Sequence, residues 1–196
     1  MTRIIAGAAR GRRLAAPPGR RTRPTSDRAR EGLFGTLTAI RGTLAGSAVL
    51  DLYAGSGAVG LEALSRGARR VLLVEADARA VRVIRENMGA VGLSGASVVA
   101  DRVERVLARG PAPGPGYDIA FADPPYATPE EEVSRLLALL TQDGWLVPDA
   151  VVAVERATRS GPLAWPAGYT PDRSRRYGEA TVWYGLAAGI RPAGLT

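Results

Sequence analysis

Three residue types that carry much of enzyme nucleophilic, metal-binding and proton-transfer chemistry are missing: the 196-residue chain has no cysteine, no histidine and no lysine. Serine–histidine triads, thiol nucleophiles, zinc sites built on cysteine or histidine, lysine Schiff bases and phosphate-loop lysines are therefore excluded. Disulfides are excluded too, which fits a reducing compartment without requiring one. No apolar run reaches the roughly 18 residues that span a bilayer. Arg3, Arg10, Arg12 and Arg13 interrupt the first apolar stretch, so no signal-peptide core is expected and the reading is cytoplasmic. With 46% hydrophobic and 23% charged residues, the chain reads as an ordinary globular protein with one main core.

All the positive charge is arginine: 26 basic residues face 19 acids, for a net charge of +7. It is concentrated at one end. Residues 1–41 hold ten arginines against Asp27 and Glu31, and the remainder is close to neutral. A basic arm on a neutral body is the pattern expected where a protein meets phosphates, and the planar guanidinium binds phosphate oxygens in pairs. Arg3, Arg10, Arg12, Arg13, Arg23, Arg28 and Arg30 are the candidate phosphate contacts. The plainer alternative is a solubilising tail or an arginine-rich targeting peptide. Within the arm, Arg3 to Leu14 with Gly7 and Gly11 suggests a small hairpin. Thr25-Ser26-Asp27 offers cap residues for a helix from Arg28 to about Ile40. Ala29, Leu33 and Leu37 fall four apart and can face the core, leaving Arg28 and Arg30 toward solvent or ligand.

From residue 48 onward, short apolar runs alternate with helical stretches, the signature of a parallel sheet wound with helices. Strands are expected at 48–53, 71–75, 96–100, 117–122 and 150–155. Helices are expected from the glycine loop to about Arg66, from Ala78 to about Val91 with Gly92 closing it, over 103–108, and over 129–140 with Pro129 near the first turn. Gly110-Pro111-Ala112-Pro113-Gly114-Pro115-Gly116 breaks regular structure. The end of the chain looks like a hairpin of residues 174–177 and 181–186 turning at Gly178.

Two motifs carry the chemistry. Asp51-Leu52-Tyr53-Ala54-Gly55-Ser56-Gly57-Ala58-Val59-Gly60 places G-x-G-x-x-G between a strand and a helix, where the backbone can approach a ligand and N–H groups at the helix start face it. The same spelling serves NAD, FAD and S-adenosylmethionine. Glu75, at the end of the next strand, could accept hydrogen bonds from both ribose hydroxyls of an adenosine. The more discriminating motif is Asp123-Pro124-Pro125-Tyr126 at the end of the fourth strand. An exocyclic base amine is a poor nucleophile because its lone pair is delocalised into the ring. Acceptors at its N–H groups, the Asp123 carboxylate and the Pro124 carbonyl, favour the pyramidal form and take the charge that develops on attack. The prolines fix that carbonyl, and Tyr126 offers a flat ring on which an extruded base can stack.

Together these motifs resemble motifs I and IV of S-adenosylmethionine-dependent amino-methyltransferases acting on bases. Arg3-Ile4-Ile5-Ala6-Gly7, Arg10-Gly11-Arg12-Arg13-Leu14, the stretch from Arg23 to Phe34, Gly60 to Arg66 and Asp143-Gly144-Trp145-Leu146 narrow the likeness. Over nearly the whole chain the sequence resembles the RsmD family, the 16S ribosomal RNA guanine-N2 methyltransferases named for guanine 966. That resemblance implies an α/β, Rossmann-like class I methyltransferase fold with a mostly parallel seven-stranded sheet. The organisation would be a basic RNA-binding extension over 1–41 and a methyltransferase domain over 42–196. It implies S-adenosylmethionine as cofactor, with Asp51, Tyr53, Gly55 and Gly57 at its methionine end, Glu75 and Ala76 at the ribose, Asp101 at the adenine amino group, and Asp123 alongside. Asp123, Pro124 and Tyr126 would hold the target guanine. The implied partner is 16S ribosomal RNA in the small subunit or its assembly intermediate, with no metal or membrane and a monomeric protein. Family members commonly carry a lysine and an aromatic residue where this chain has Ala8-Ala9, so a weaker hairpin grip on RNA is expected. Two rivals remain. The tetrapeptide also serves DNA adenine-N6 methyltransferases, and the glycine loop also serves NAD-binding oxidoreductases, which leave Asp123 to Tyr126 without a task.

Overall fold

The computed structural model describes residues 2–17, 27–142 and 144–188. Arg23, Thr25, Ser26 and Asp143, singled out above, lie outside these. The chain divides into two compact units at Val103/Glu104.

The first unit begins with the expected hairpin, β1 (Thr2–Arg3) against β2 (Arg13–Leu14), antiparallel with Thr2 opposite Leu14. Helix α1 (Asp27–Arg41) follows, then β3 (Ala48–Leu52), α2 (Ala58–Ser65), β4 (Arg70–Glu75), α3 (Ala78–Val91) and β5 (Ala96–Ala100). The three larger strands are parallel in the order β5-β4-β3. Every residue of β3 is buried, as a strand covered on both faces requires. Asp77 caps α3 by accepting from the Arg79 and Ala80 N–H groups at 2.7 and 3.3 Å. Gly92, with φ of 64°, closes that helix.

Two close approaches define how this unit packs. A Cβ on Gly60 would stand 2.8 Å from Val71 Cγ1 and 2.9 Å from Leu73 Cδ2, so α2 lies on β4 only because no side chain intervenes. A Cβ on Gly7 would lie 1.7 Å from the Ser65 carbonyl oxygen, and φ there is +83°, so the hairpin meets the end of α2 through bare backbone. The Ala8 N–H donates to that carbonyl at 2.8 Å and the Ala9 N–H to Ser65 Oγ at 3.0 Å. Ala9 is 2% exposed, which accounts for a small residue where a lysine or an aromatic ring was noted as the family habit.

The second unit contains α4 (Val103–Ala108), which starts at the division, β6 (Tyr117–Ala122), α5 (Glu130–Gln142), β7 (Leu146–Ala157), β8 (Tyr169–Tyr177) and β9 (Ala180–Ala187). Its strand order is β6-β7-β9-β8, with β6 and β7 parallel and the other two pairings antiparallel. Tyr117 stacks on Trp145 with ring centroids 6.1 Å apart, and Trp145 Nε1 donates to the Leu107 carbonyl at 3.1 Å. The closing hairpin is longer than its apolar pattern suggested. β8 is an edge strand, exposed along nearly all its length, so no alternation of apolar residues marks its start. β7 likewise begins ahead of the apolar run, at Leu146, through Pro148 and Asp149.

Candidate active site

The glycine loop follows β3 in the first unit. Asp51 is 1% exposed and its Oδ2 accepts from the Gly60 N–H at 2.8 Å, so its carboxylate is turned inward and holds the first turn of α2 onto the strand. Tyr53 adopts φ of 61°, a left-handed conformation that costs a non-glycine residue of order 1–3 kcal/mol. The Gly55 N–H donates to Glu75 Oε2 at 2.8 Å, and the Asp77 N–H donates to Glu75 Oε1 at 2.9 Å. Glu75 is 4% exposed and so is clamped, one oxygen to the loop and one to the start of α3, in a fixed orientation at the strand end. Two backbone N–H groups, one on each oxygen, fix the orientation of the carboxylate. Beside it Ala76 is exposed, and Asp101, just after β5, is half-buried and accepts from the Arg102 N–H at 2.8 Å.

The pattern of residue types did not single out Asn87. Its Nδ2 donates to the Ser56 carbonyl at 2.8 Å and to the Ala15 carbonyl at 3.0 Å, while its Oδ1 accepts from the Ala15 N–H at 2.8 Å. One side chain on α3 thus ties the glycine loop to the chain leaving the hairpin. Asn87 is 1% exposed, and nothing in its own segment marks it, because its partners Ser56 and Ala15 lie far away in the chain.

The arm corrects one expectation. Arg30 was placed toward solvent or ligand, yet its side chain is fully buried. Its Nη1 donates to Thr2 Oγ1 at 3.0 Å, its Nη2 to the Arg3 carbonyl and to Asp27 Oδ1, and its Nε lies 3.7 Å from Glu62. The reason is helical spacing: Arg30 precedes Leu33, Phe34 and Leu37 by three, four and seven residues, which puts it on the buried stripe of α1. It is therefore a structural ion. Burial lowers its pKa from the usual value, and the charges of Glu62 and Asp27 oppose that shift. Glu62, also fully buried, accepts from the Ile5 and Ala6 N–H groups at 2.7 and 3.0 Å and from Arg66 Nε at 2.8 Å. Arg66 in turn lies 4.8 Å over the Phe34 ring. Arg3, Arg10, Arg13 and Arg28 are exposed. Arg12 is exposed as well, with Nη1 donating to the Ala90 carbonyl at the end of α3 at 2.8 Å.

In the second unit the tetrapeptide follows β6. Asp123 is half-buried, Pro124 buried and Pro125 exposed, and Tyr126 is 45% exposed, the one large exposed hydrophobic residue among those described. The Thr128 N–H donates to the Pro125 carbonyl at 2.8 Å, folding the segment into a tight turn, and Arg156 Nη2 donates to the Thr128 carbonyl at 2.9 Å. A flat ring offered to solvent beside a carboxylate and a rigid carbonyl can stack a planar base and accept from its amine. Among the described residues no group of three or more histidine, cysteine, aspartate or glutamate side chains could hold a metal ion.

A family model described as conserved hypothetical protein 95 matches residues 2–185. Ribosomal RNA small subunit methyltransferase D of Escherichia coli K12 is 36% identical over 177 residues, covering 90% of this chain and 85% of that protein. Its counterpart in Haemophilus influenzae is 34% identical over 169 residues, covering 86% and 84%. The chain belongs to the RsmD family. The solved structure of yhhF, a methyltransferase from Escherichia coli, matches it with a TM-score of 0.82 and 32% identity, covering 95% of this chain and 97% of that one. The RsmD-family chain thus has the α/β, Rossmann-like methyltransferase fold, with its seven larger strands split three and four between the units.

Proposed function

We propose that this protein transfers the methyl group of S-adenosylmethionine to the exocyclic N2 of a guanine in 16S ribosomal RNA, guanine 966 by the family's name. The reading rests on the Asp123-Pro124-Pro125-Tyr126 turn at the end of β6, with an exposed ring beside a carboxylate, in a chain similar across most of its length to named small-subunit methyltransferases.

The cofactor supplies an activated methyl group, so the protein's contribution is placement and field. Glu75, fixed by the Gly55 and Asp77 N–H groups, is oriented to accept from ribose hydroxyls, with Ala76 open beside it. Gly55, Gly57 and Tyr53 present backbone to the methionine end. Asp51 serves from behind by holding α2, and Asp101 takes the adenine amino group. Asp123 and the Pro124 carbonyl accept from the guanine amine and stabilise the positive charge that develops on it, while Tyr126 stacks the extruded base. After attack the ammonium-like purine nitrogen is strongly acidic and releases its surplus proton to solvent. No histidine or lysine base is required.

The arm over 1–41 is the RNA-facing extension of the catalytic body, gripping phosphates through Arg3, Arg10, Arg12, Arg13, Arg23 and Arg28. The partner is small-subunit RNA in the subunit or an assembly intermediate, and the protein acts as a cytoplasmic monomer. The deciding experiment is incorporation of labelled methyl groups into small-subunit particles lacking the modification, with duplex DNA in parallel. Labelling of the particles at one guanine supports the reading. Labelling of adenine in DNA favours the rival methyltransferase, and calorimetric binding of NAD in place of S-adenosylmethionine favours the oxidoreductase.

A further inference from the structure

The end of β7 meets the tetrapeptide loop through two consecutive residues, Glu155 and Arg156. β6 and β7 are parallel, their last paired rung sets Ala122 opposite Val154, and Asp123 and Glu155 follow it directly on the two segments, near enough for the charge of Asp123 to act on Glu155. Side chains on one rung of adjacent strands share a face. One residue on, Arg156 holds the Thr128 carbonyl, just past Tyr126. Glu155 is 7% exposed, whereas Asp123 is half-buried at the strand end. Two carboxylates in one partly buried site do not both ionise at little cost, and the more buried member retains the proton.

The other titratable groups on this face of the ladder come from β9 and β8. Glu155 stands opposite Val182, with Tyr184 two residues along β9 and Arg175 and Arg173 beyond them on β8. Arg173 is engaged by Asp172. The residue opposite Glu155 on β9 is the uncharged Val182.

Resting on the methyl-transfer reading above, we propose that Glu155 is a positioning residue for Asp123: it holds the proton of this carboxylate pair, so that Asp123 alone carries the negative charge presented to the base amine. The neutral partner keeps the loop's charge single and lets Asp123 remain in place. Ionisation of Glu155 would set two like charges side by side and drive the loop off its position. Burial, and then the charge of Asp123, push the Glu155 carboxyl up to about 8 from its ordinary 4.5, so this transition falls just above neutral pH.

The test pairs Glu155→Gln, a neutral mimic of the protonated acid, with wild type. Methylation of small-subunit particles and thermal unfolding are both followed from pH 6 to 10. Wild type should lose turnover through an alkaline limb near pH 8. E155Q should keep wild-type turnover at pH 7 and lack that limb. A folded state that retains a proton the unfolded chain has released grows less stable as pH rises toward the folded pKa. The melting temperature of wild type should therefore fall between pH 6 and 9 more steeply than that of E155Q. Superimposable turnover profiles, an E155Q protein that is folded but inactive at pH 7, or one that fails to fold at pH 7 would each overturn the proposal. Failure of wild type to methylate any particle would instead overturn the functional reading, while the two melting profiles would still report whether Glu155 holds the proton.

Discussion

At the scale of single residues, the tetrapeptide separates two kinds of contribution. On the proposed reading Asp123 accepts from the base amine most strongly as charge develops there, so Asp123→Ala should lower turnover by at least about 10²-fold while calorimetry finds cofactor affinity nearly unchanged. Turnover near wild type would remove Asp123 from its role. Tyr126 is 45% exposed, so on the same reading its ring is offered to a bound base rather than to the core. Base stacking on an aromatic side chain is worth about 1–3 kcal/mol, so Tyr126→Ala should weaken productive RNA binding by about 5- to 150-fold, with thermal stability little altered. An unfolded Y126A protein would mean that the ring packs internally. Both residues were legible because their chemistry depends on residue type and local order, and a turn after a strand is a local structure. Glu155 and Asn87 were not. Each is an ordinary polar residue in its own segment and gains significance only from neighbours distant in the chain, Asp123 for the one, Ser56 and Ala15 for the other.

Among the elements, the arm is bound by a buried ionic cluster that includes Arg30, which sequence patterning placed toward solvent or ligand. Arg30 on α1 joins Thr2, Arg3, Asp27 and Glu62, and Glu62 on α2 joins the Ile5 and Ala6 N–H groups. Removing one partner of a buried ionic cluster leaves the others uncompensated, at a cost of about 3–5 kcal/mol. Arg30→Ala should therefore shift the urea unfolding midpoint strongly downward and speed hydrogen exchange at Ile5 and Ala6. Arg13→Ala, at an exposed position, should leave stability within about 0.5 kcal/mol of wild type and weaken RNA binding instead. If the two variants exchanged these phenotypes, the division between structural and RNA-facing arginines would be wrong. The boundaries of α3, β5, α4 and β6 agree with the sequence pattern because caps, glycines and apolar runs mark them. The start of β8 carries no such mark, since an exposed edge strand needs no buried face.

For the whole molecule, the decisive quantity is where the net charge of +7 sits. Phosphate contacts release counterions, so RNA affinity should fall linearly on a log–log plot against salt. The slope should decrease by about 1 for each phosphate contact removed by substituting Arg10, Arg13 or Arg28. An affinity insensitive to salt would show that the arm is not the electrostatic contact. Stability should respond at the acid end also. The Arg79 and Ala80 N–H groups hold the Asp77 carboxyl below its ordinary value. The help this cap gives to α3 is present above that ordinary value and lost as pH falls through the lowered one.

What the linear chain determined alone was the alternation of strands and helices, the glycine loop with Glu75, the Asp-Pro-Pro-Tyr turn and the basic arm, because each depends on residues close in sequence and on their intrinsic conformational and chemical preferences. Tertiary structure decided which arginine is a buried ion and which polar residues fix the loop. It also decided that a glutamate on β7 stands beside Asp123. Burial and cross-strand register exist only once distant segments meet, and a side chain's charge state follows from both.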